Sequence, residues 1–407
     1  MPTNGAAGER NFPDWLSAYV QYAGFSEAPR KMHYWSGVAA IAGALRRHVW
    51  FDMGYFKWFP NFYIILVAPP GIVSKSTTAS IAMTLLRKVP DITFGPEAVT
   101  WQALLERFEQ STQSFLIGST YHTQSAMTIE SAEFGNLIDP SNREQIDFLV
   151  NLWDSKVGSF QKVTKGSGIN NVENPYINLI ACTTPAWIAG NFPEYVIGGG
   201  FTSRCLFVYA DQKEKFIAYP ARHMPKEMGE VQHALVQDLE RISSKLVGPY
   251  IIDPEAVEWG EKWYAEHWGG KMPDELDDDR FGGYLARKQT HVHKTAMCIA
   301  ASRHDDVVLH RQDLEDAYAA VTELEKDMAK VFARIGRTQT SIQAERFIRF
   351  VQKRGACTYS EAYAFIHSSF PSAKNFEDVV IGATRSGYIR MQPAGSSYIL
   401  EAVKKPA

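Results

Sequence analysis

The chain has 407 residues, of which 45% are hydrophobic and 21% are charged, and its formal net charge is −3. This composition is ordinary for a folded globular protein, and it excludes a disordered chain, a collagen-like chain and a coiled coil. At roughly 100–200 residues per domain, the length predicts two domains, or one large domain with an appendage.

Several simple patterns bear on where the protein acts. No apolar run approaches the roughly 18 residues that a membrane-spanning helix needs, so we expect no membrane association. The N-terminus shows no basic segment followed by an apolar stretch, so no secretory signal is expected. Four cysteines without CxxC spacing argue against a disulfide framework or a zinc ribbon, and they favour a cytoplasmic location.

Charge is distributed unevenly along the chain. From residue 336 onward there are ten basic and five acidic residues, which leaves a balance of −8 for the rest. A mildly acidic body with a basic C-terminal segment predicts that any contact with nucleic acid is local.

The first two hundred residues show an alternating pattern of elements. Residues 14–50 have helical apolar spacing, and the uncharged run at 61–68 predicts a strand buried on both faces. Further elements then follow in chain order: helices at 79–88, 100–109 and 144–153, strands at 114–118, 126–129, 176–182 and 204–209, and a hairpin at 161–172. This alternation predicts an α/β fold built on a doubly wound parallel sheet.

After residue 220 the pattern changes to long helices, at 227–247, 254–268, 280–303 and 311–337. The last segment predicts three helices followed by two strands, which is the order of a winged helix-turn-helix: helices at 341–353, 359–367 and 372–385, strands at 388–392 and 397–402. The predicted domains are therefore residues 1–50, 51–220, 221–337 and 338–407.

The strongest chemical signal is the sequence APPGIVSKS at residues 68–76, between a predicted strand and a predicted helix. A polyphosphate needs backbone N–H donors, a helix N-terminus, a cation and a hydroxyl for Mg²⁺. Lys75 would supply the cation and Ser76 the hydroxyl. The expected phosphate cradle consists of Pro70, Gly71, Ile72, Val73, Ser74, Lys75, Ser76 and Thr77.

The match of this segment to GxxxxGK[ST] is imperfect. Pro69 replaces the first glycine and Ser74 replaces the second. A positive φ at Ser74 would cost on the order of 1 kcal/mol. An ordinary strand–turn–helix with an incidental Lys-Ser pair is the alternative interpretation.

Residues 35–210 resemble the P-loop core of the primase–helicase-type ATPases of phages and plasmids, which are similar to superfamily-three and AAA+ replicative helicases. Four landmarks follow the order of that family: Walker A (61–76), Walker B (AMTIESAEFG, 126–135), the sensor-1 strand (NLIACTTP, 178–185) and an arginine-finger loop (GGGFTSR, 198–204). The resemblance implies an AAA+-like P-loop core at 51–220, a helical lid at 221–337 and a winged helix at 338–407.

The resemblance also implies roles for individual residues, with ATP and Mg²⁺ as ligands. Glu133 matches the catalytic glutamate, but Ala132 stands where the family has Asp, so Glu130 is expected to join Ser76 in holding Mg²⁺. Thr183 would read the γ-phosphate or position water. Arg204 would enter a neighbour's site as an arginine finger, and Arg287 on the lid would contact phosphate.

Each of these roles has a structural alternative. The two glutamates could instead be solvated residues of a loop, and Thr183 could be a hydrogen-bonded residue of a turn. Arg204 could form a structural ion pair instead of acting as an arginine finger.

Basic residues in two other places indicate contact with DNA. Lys162 and Lys165 on the hairpin would follow the backbone of single-stranded DNA, although a solvated surface turn has a similar composition. In the C-terminal module, Lys374, Arg385 and Arg390 would contact DNA, although winged helices also bind proteins.

Together these expectations favour an ATP-dependent DNA helicase or translocase in the replication of a phage or mobile element. It would form a homo-oligomeric ring, expected to be a hexamer, act on single-stranded DNA, and work with a separate primase or replication initiator. The alternative is a nucleotide-gated DNA-binding protein or helicase loader with weak or no hydrolysis, which Ser74 and Ala132 favour. A metabolic kinase is disfavoured by the C-terminal module and the Arg204 loop.

Overall fold

The computed structural model of the chain describes residues 9–164, 168–197, 199–270, 276, 278–332, 339–367, 373–395 and 397–403. The chain divides into two compact units, residues 1–333 and 334–407. The boundary predicted at 337/338 thus lies four residues beyond the observed one. The three domains predicted before it belong to a single unit.

The strands of the first unit are between two and twelve residues long. In chain order they are β1 (Val49–Asp52), β2 (Lys57–Trp58), β3 (Tyr63–Val67), β4 (Thr112–Ile117), β5 (Thr120–Ser131), β6 (Ser159–Thr164), β7 (Gly168–Glu173), β8 (Pro175–Thr183), β9 (Cys205–Tyr209), β10 (Gly248–Ile252) and β11 (Val308–Leu309).

The central sheet has the strand order β4-β5-β8-β3-β9. Strands β5, β8, β3 and β9 are parallel, and every residue of β3 and β8 is buried, as their uncharged apolar runs predict. The α/β prediction is therefore confirmed. The edge strand β4 is instead antiparallel to β5, because only Gly118 and Ser119 connect the two, and so short a connection permits only a hairpin.

Helices surround this sheet. In chain order they are α1 (Trp15–Ala23), α2 (Arg30–Leu45), α3 (Lys75–Leu86), α4 (Trp101–Gln110), α5 (Arg143–Asp154), α6 (Pro185–Asn191), α7 (Glu194–Ile197), α8 (Met228–Lys245), α9 (Pro254–Gly269), α10 (Gly282–Leu285), α11 (Lys288–Arg303) and α12 (Arg311–Phe332).

Helix α2 explains why the N-terminal segment belongs to the same unit as the sheet. The helix is almost entirely buried and is rich in Ala and Gly, so its backbone comes close to the strands. The Tyr176 hydroxyl donates to the Ala42 carbonyl (2.6 Å), and the Asn178 amide donates to the Ala39 carbonyl (2.8 Å). Both bonds tie α2 to β8.

A second sheet, of order β11-β10-β1-β2, corrects two sequence predictions. Residues 14–50 do not form one helical stretch: α1 and α2 are separate, and β1 begins at Val49. Strands also continue after residue 220, since β10 pairs in parallel with β1 and with β11. Pairing between Val49 and Gly248 joins segments that the predicted domain boundaries would separate.

The predicted helix at 280–303 is also interrupted. A 3-10 turn (Asp279–Phe281) and the four-residue α10 precede α11, which begins at Lys288.

The second unit has three helices, α13 (Gln339–Arg354), α14 (Tyr359–Ile366) and α15 (Ala373–Arg385), and three strands, β12 (Ala356–Thr358), β13 (Ile389–Ala394) and β14 (Ser397–Ala402). Its antiparallel sheet has the order β12-β14-β13. Phe347, Val351, Phe376 and Leu400 belong to its core. Thr358 and Glu361 form a reciprocal capping box that starts α14. The three-residue β12 was not predicted.

Among the helices in the described ranges, none is both long and apolar enough to cross a membrane.

Candidate functional site

The carboxyl ends of β3, β5 and β8 open into one cavity of about 560 Å³. This volume lies within the roughly 300–1,000 Å³ of small-molecule sites, and this edge of an open α/β sheet is where ligands bind. Its walls come from three chain segments: Pro70, Gly71, Val73, Ser74, Lys75 and Ser76; Ala132, Glu133, Phe134, Gly135 and Asn136; and Cys182, Thr183, Thr184 and Trp187. Ile72 and Thr77, which the sequence also assigned to the phosphate cradle, are not among these lining residues.

The first segment turns sharply between β3 and α3. The turn has its positive φ at Gly71 (+71°), whereas Ser74 has a φ of −80°. Ser74 therefore carries no left-handed strain, and the cost predicted for a serine at that position does not arise. Helix α3 starts at Lys75, so its N-terminal amides and the positive end of its dipole lie at the cavity.

Lys75 is half-buried in the cavity wall. Its ammonium donates to the carbonyl of Ala68, the residue after β3, at 2.9 Å. Partial burial lowers the pKa of Lys75, and the nearby Cys182 thiol opposes this shift. A cation held against the strand end by a single carbonyl is free to turn toward an anion in the cavity.

The second segment follows β5. Glu133 is exposed in the cavity, and a 3-10 turn, Phe134–Asn136, comes directly after it. The backbone around Glu133 is fixed by two bonds: the Ser131 hydroxyl donates to its carbonyl at 2.9 Å, and the Asn136 amide does so at 3.0 Å. The Glu133 carboxylate therefore reaches the same space as Lys75 and Ser76.

The third segment follows β8. Thr183 is the last residue of the strand and is buried, and the Thr184 hydroxyl caps α6 by accepting the Trp187 amide at 3.1 Å. Of the two threonines, Thr183 remains the candidate for contact with a ligand, because the hydroxyl of Thr184 already has a structural partner.

Glu130 does not line the cavity with Glu133. Its carboxylate pairs with the Arg87 guanidinium at 2.7 Å, and Arg87 also lies over the Phe94 ring (4.4 Å). The assignment of Glu130 as a metal ligand is therefore not supported, since its charge is already used at the C-terminal end of α3.

Arg204 lies at the opposite edge of the sheet from Lys75. It precedes Cys205, which pairs with Tyr63 at the start of β3, whereas Lys75 lies past the end of that strand. A strand of five residues spans about 16 Å. The guanidinium is buried and bidentate to Asp154 of the same chain, with both N–O distances at 2.9 Å. This is the structural ion pair that the sequence left open as the alternative to an arginine finger.

Arg287 belongs to the same edge as Arg204. Its guanidinium donates to the Gly283 carbonyl at 3.2 Å. Burial lowers the pKa of Arg287, with a further lowering from Arg204 and an opposing effect of Asp154. The structure therefore does not bring Arg287 to Lys75, and a phosphate contact within the same chain is not supported.

The predicted hairpin is present as β6 and β7. Lys162 is described only by its backbone, opposite Asn170, and Lys165 lies outside the described residues. In the second unit, Lys374, Arg385 and Arg390 are all exposed. Lys374 and Arg385 lie at the two ends of α15, and Arg390 lies on β13.

Sequence reasoning assigned no role to several residues that line the cavity, among them Asn136, Cys182 and Trp187. Burial raises the pKa of the Cys182 thiol to about 12, so this cysteine is an unreactive wall residue. Only the position of Asn136 and Trp187 in the sequence could have indicated that they line the cavity, since each follows the end of a parallel strand by a few residues.

The sequence matches no protein-family model and no curated protein, so the function of the site has to be inferred from its own geometry.

Proposed function

We propose that the chain binds ATP in the cavity at Lys75 and hydrolyses it to drive movement on DNA. One observation carries the proposal: a strand–turn–helix after β3 brings a lysine, a serine and a helix N-terminus together with a glutamate that follows β5 and a threonine that ends β8. This is the set of groups that a P-loop nucleotide site requires.

Each residue of the site has a chemical task in this proposal. The amides at the start of α3 and the Lys75 ammonium neutralise the β- and γ-phosphates. Glu133 orients the attacking water, and the Thr183 hydroxyl contacts the γ-phosphate.

The residues present fit Mg²⁺, because the Ser76 hydroxyl and the Glu133 carboxylate are oxygen donors on the same cavity. Mg²⁺ commonly takes one or two protein oxygens and completes its shell with phosphate and water. When bound, the ion would neutralise charge on the phosphate oxygens.

The DNA part of the proposal rests on the hairpin and on the second unit. Three helices followed by an antiparallel hairpin, with Lys374, Arg385 and Arg390 exposed, suit a winged helix that contacts DNA phosphates. The hairpin β6–β7 would follow single-stranded DNA. We further propose a ring of identical subunits, with six as the expected number, acting beside a separate primase or initiator in the replication of a mobile element.

A second candidate function is favoured by the state of Arg204. A motor ring needs a cation that stabilises the transition state from the neighbouring subunit, yet Arg204 is buried against Asp154 of its own chain. A nucleotide-gated DNA-binding protein or helicase loader needs no such cation.

Steady-state ATP hydrolysis, with and without single-stranded DNA, tests the proposal. The parent chain is compared with Lys75→Ala, with Glu133→Gln and with Lys88→Ala as a matched control. Lys88 follows α3, and its side chain contacts only Gln232 among the partners described. We expect DNA-stimulated turnover in the parent and in Lys88→Ala, and none in the other two variants.

The variants also separate the candidate functions. Glu133→Gln should still bind ATP, whereas Lys75→Ala should not. ATP binding by the parent without turnover would contradict the motor and favour the loader. Turnover that DNA does not stimulate would likewise contradict the motor.

A further inference from the structure

Trp187 lies on the cavity and also supports the turn that follows Glu133. It is in the first turn of α6, immediately after the threonines that end β8. Its indole ring is partly buried and lines the same cavity as Lys75 and Glu133. None of the catalytic tasks of the proposed function uses it.

The indole is in close contact with the backbone at Gly135. A Cβ atom built on Gly135 would lie 2.7 Å from Nε1 of Trp187 and 2.9 Å from Cε2. Real Cβ contacts are essentially never so short, so only glycine fits beneath this ring. The ring and the 3-10 turn Phe134–Asn136 therefore form one packed unit.

The other side of this turn is fixed by aromatic packing. Phe134 is buried, and its ring meets Trp187 edge-on with centroids 5.7 Å apart and stacks on Phe201 at 6.4 Å. Phe192 lies against both Trp187 (5.7 Å) and Phe134 (6.5 Å). The residue after Glu133 is thus held between rings from two separate segments.

Glu133 itself has little packing of its own, because its side chain is exposed. The backbone around Glu133 therefore determines the point from which its carboxylate enters the cavity. Misplacing a reacting group by about 1 Å can cost on the order of 100-fold in rate.

We propose that Trp187 is a positioning residue for Glu133. Its ring packs against Gly135 and Phe134 and so fixes the backbone that carries Glu133, from which the carboxylate has to reach the water that attacks the γ-phosphate. Trp187 acts through the turn and does not contact the reacting atoms. This inference rests on the proposed ATP hydrolysis, and it makes the site depend on a ring that no nucleotide-binding motif specifies.

The test compares Trp187→Ala and Trp187→Phe with the parent, in turnover and in ATP affinity. Trp187→Ala empties the space over Gly135 and should lower kcat about 10- to 100-fold while the dissociation constant for ATP changes less than about threefold. Trp187→Phe keeps a ring over the turn and should recover most of the lost kcat. Trp259→Phe is the matched control, since Trp259 stacks on Trp263 on α9, apart from the cavity.

A second variant approaches the same contact from the opposite side. Gly135→Ala places a methyl group against the indole and should reproduce the loss of kcat with ATP affinity retained. Parent-like kcat in both Trp187→Ala and Gly135→Ala would overturn the inference. Equal losses of kcat and ATP affinity, or a kcat that Phe does not restore, would also overturn it, because they indicate a general structural role.

Failure of the inference is distinct from failure of the proposed function. If the parent turns over ATP and Trp187→Ala does so equally well, only the positioning role is lost. If the parent shows no turnover, the motor and the positioning role are both overturned.

Discussion

The pair between Arg204 and Asp154 gives the sharpest stability prediction. The side chain of Arg204 is 7% exposed and that of Asp154 is 28% exposed, and Arg204 also donates to the Gly200 carbonyl at 2.6 Å. Asp154→Ala would leave a buried guanidinium with that carbonyl as its remaining polar partner among those described. Desolvation of the unpaired charge, not the lost attraction, then dominates the cost.

Breaking a buried pair by removing one partner costs about 3–5 kcal/mol. Asp154 keeps about a quarter of its surface in water, so solvent can partly replace it, and we expect about 3 kcal/mol for Asp154→Ala. A second buried cation adds to this cost: burial lowers the pKa of Lys294 well below its usual range, and the charge of Asp154 is the main effect that opposes the shift. The double variant with Arg204→Ala should cost less than the sum of the single ones, by about 2 kcal/mol.

The assay is urea denaturation at pH 7 followed by circular dichroism. Asp147→Ala is the matched control, because Asp147 is an exposed aspartate on the same helix, and it should change stability by less than about 0.5 kcal/mol. A loss below about 1 kcal/mol for Asp154→Ala would refute the assignment of a buried structural pair. Arg204→Ala that keeps full stability but abolishes turnover would restore the arginine finger.

Three further predictions follow from the site, the buried histidines and the second unit. Gly71→Ala should lower stability by about 1 kcal/mol and weaken ATP binding, because φ is +71° at this residue. Ser74→Gly should improve neither stability nor ATP binding, because φ is already negative there. Urea denaturation and calorimetric titration with ATP measure the two quantities. Burial lowers the pKa of His33 and His293 to about 4 and that of His48 and His291 to about 3, so the unfolded chain binds more protons below pH 6.5. The contribution of these histidines to stability should therefore be constant above about pH 7 and be lost as the pH drops from about 6.5 toward 4, with a shallower decline in His293→Phe; a decline of equal slope in that variant would exclude His293 as a contributor. Arg390→Glu should weaken duplex-DNA binding and reduce its dependence on salt by about one phosphate contact in fluorescence anisotropy, with Lys353→Glu on α13 as a control for net charge.

The central sheet could be predicted from the sequence because its strands are buried on both faces. The run of β3 contains no charge and includes two adjacent isoleucines, a composition typical of a strand buried on both faces. The second sheet could not be predicted. Strand β11 has two residues, β10 alternates buried and exposed positions within a helical region, and β1 continues the apolar pattern of α2. The pairing of β1 with β10 joins Val49 to Gly248, and that of β10 with β11 joins Ile251 to Val308, and local pattern cannot reveal such distant partners.

The sequence predicted those site residues whose position follows from the strand that precedes them. It did not predict contacts with residues that are distant in sequence. The topology of the sheet brings four predicted residues together, because each lies at or after the carboxyl end of a parallel strand: Lys75, Ser76, Glu133 and Thr183. The Ser74 prediction was wrong because a sequence template cannot say which residue of a turn takes the positive φ. The assignment of Glu130 as a metal ligand failed for another reason. Its ion-pair partner, Arg87, is forty-three positions away, and the sequence around Glu130 does not indicate that pair.

The place of Arg204 constrains how a ring of this chain would work. The residue lies at the sheet edge away from the cavity at Lys75, so in a head-to-tail ring of the proposed motor it would have to serve a neighbour's cavity and not its own. Its guanidinium must leave Asp154 before it can reach that neighbour, so assembly has to supply the free energy of breaking the pair. The unassembled protomer should therefore bind ATP but turn it over slowly. Turnover per subunit should rise with protein concentration, and Asp154→Asn should shift that rise to lower concentration if the pair restrains Arg204. A rate per subunit that is independent of concentration across the range of assembly would exclude this restraint.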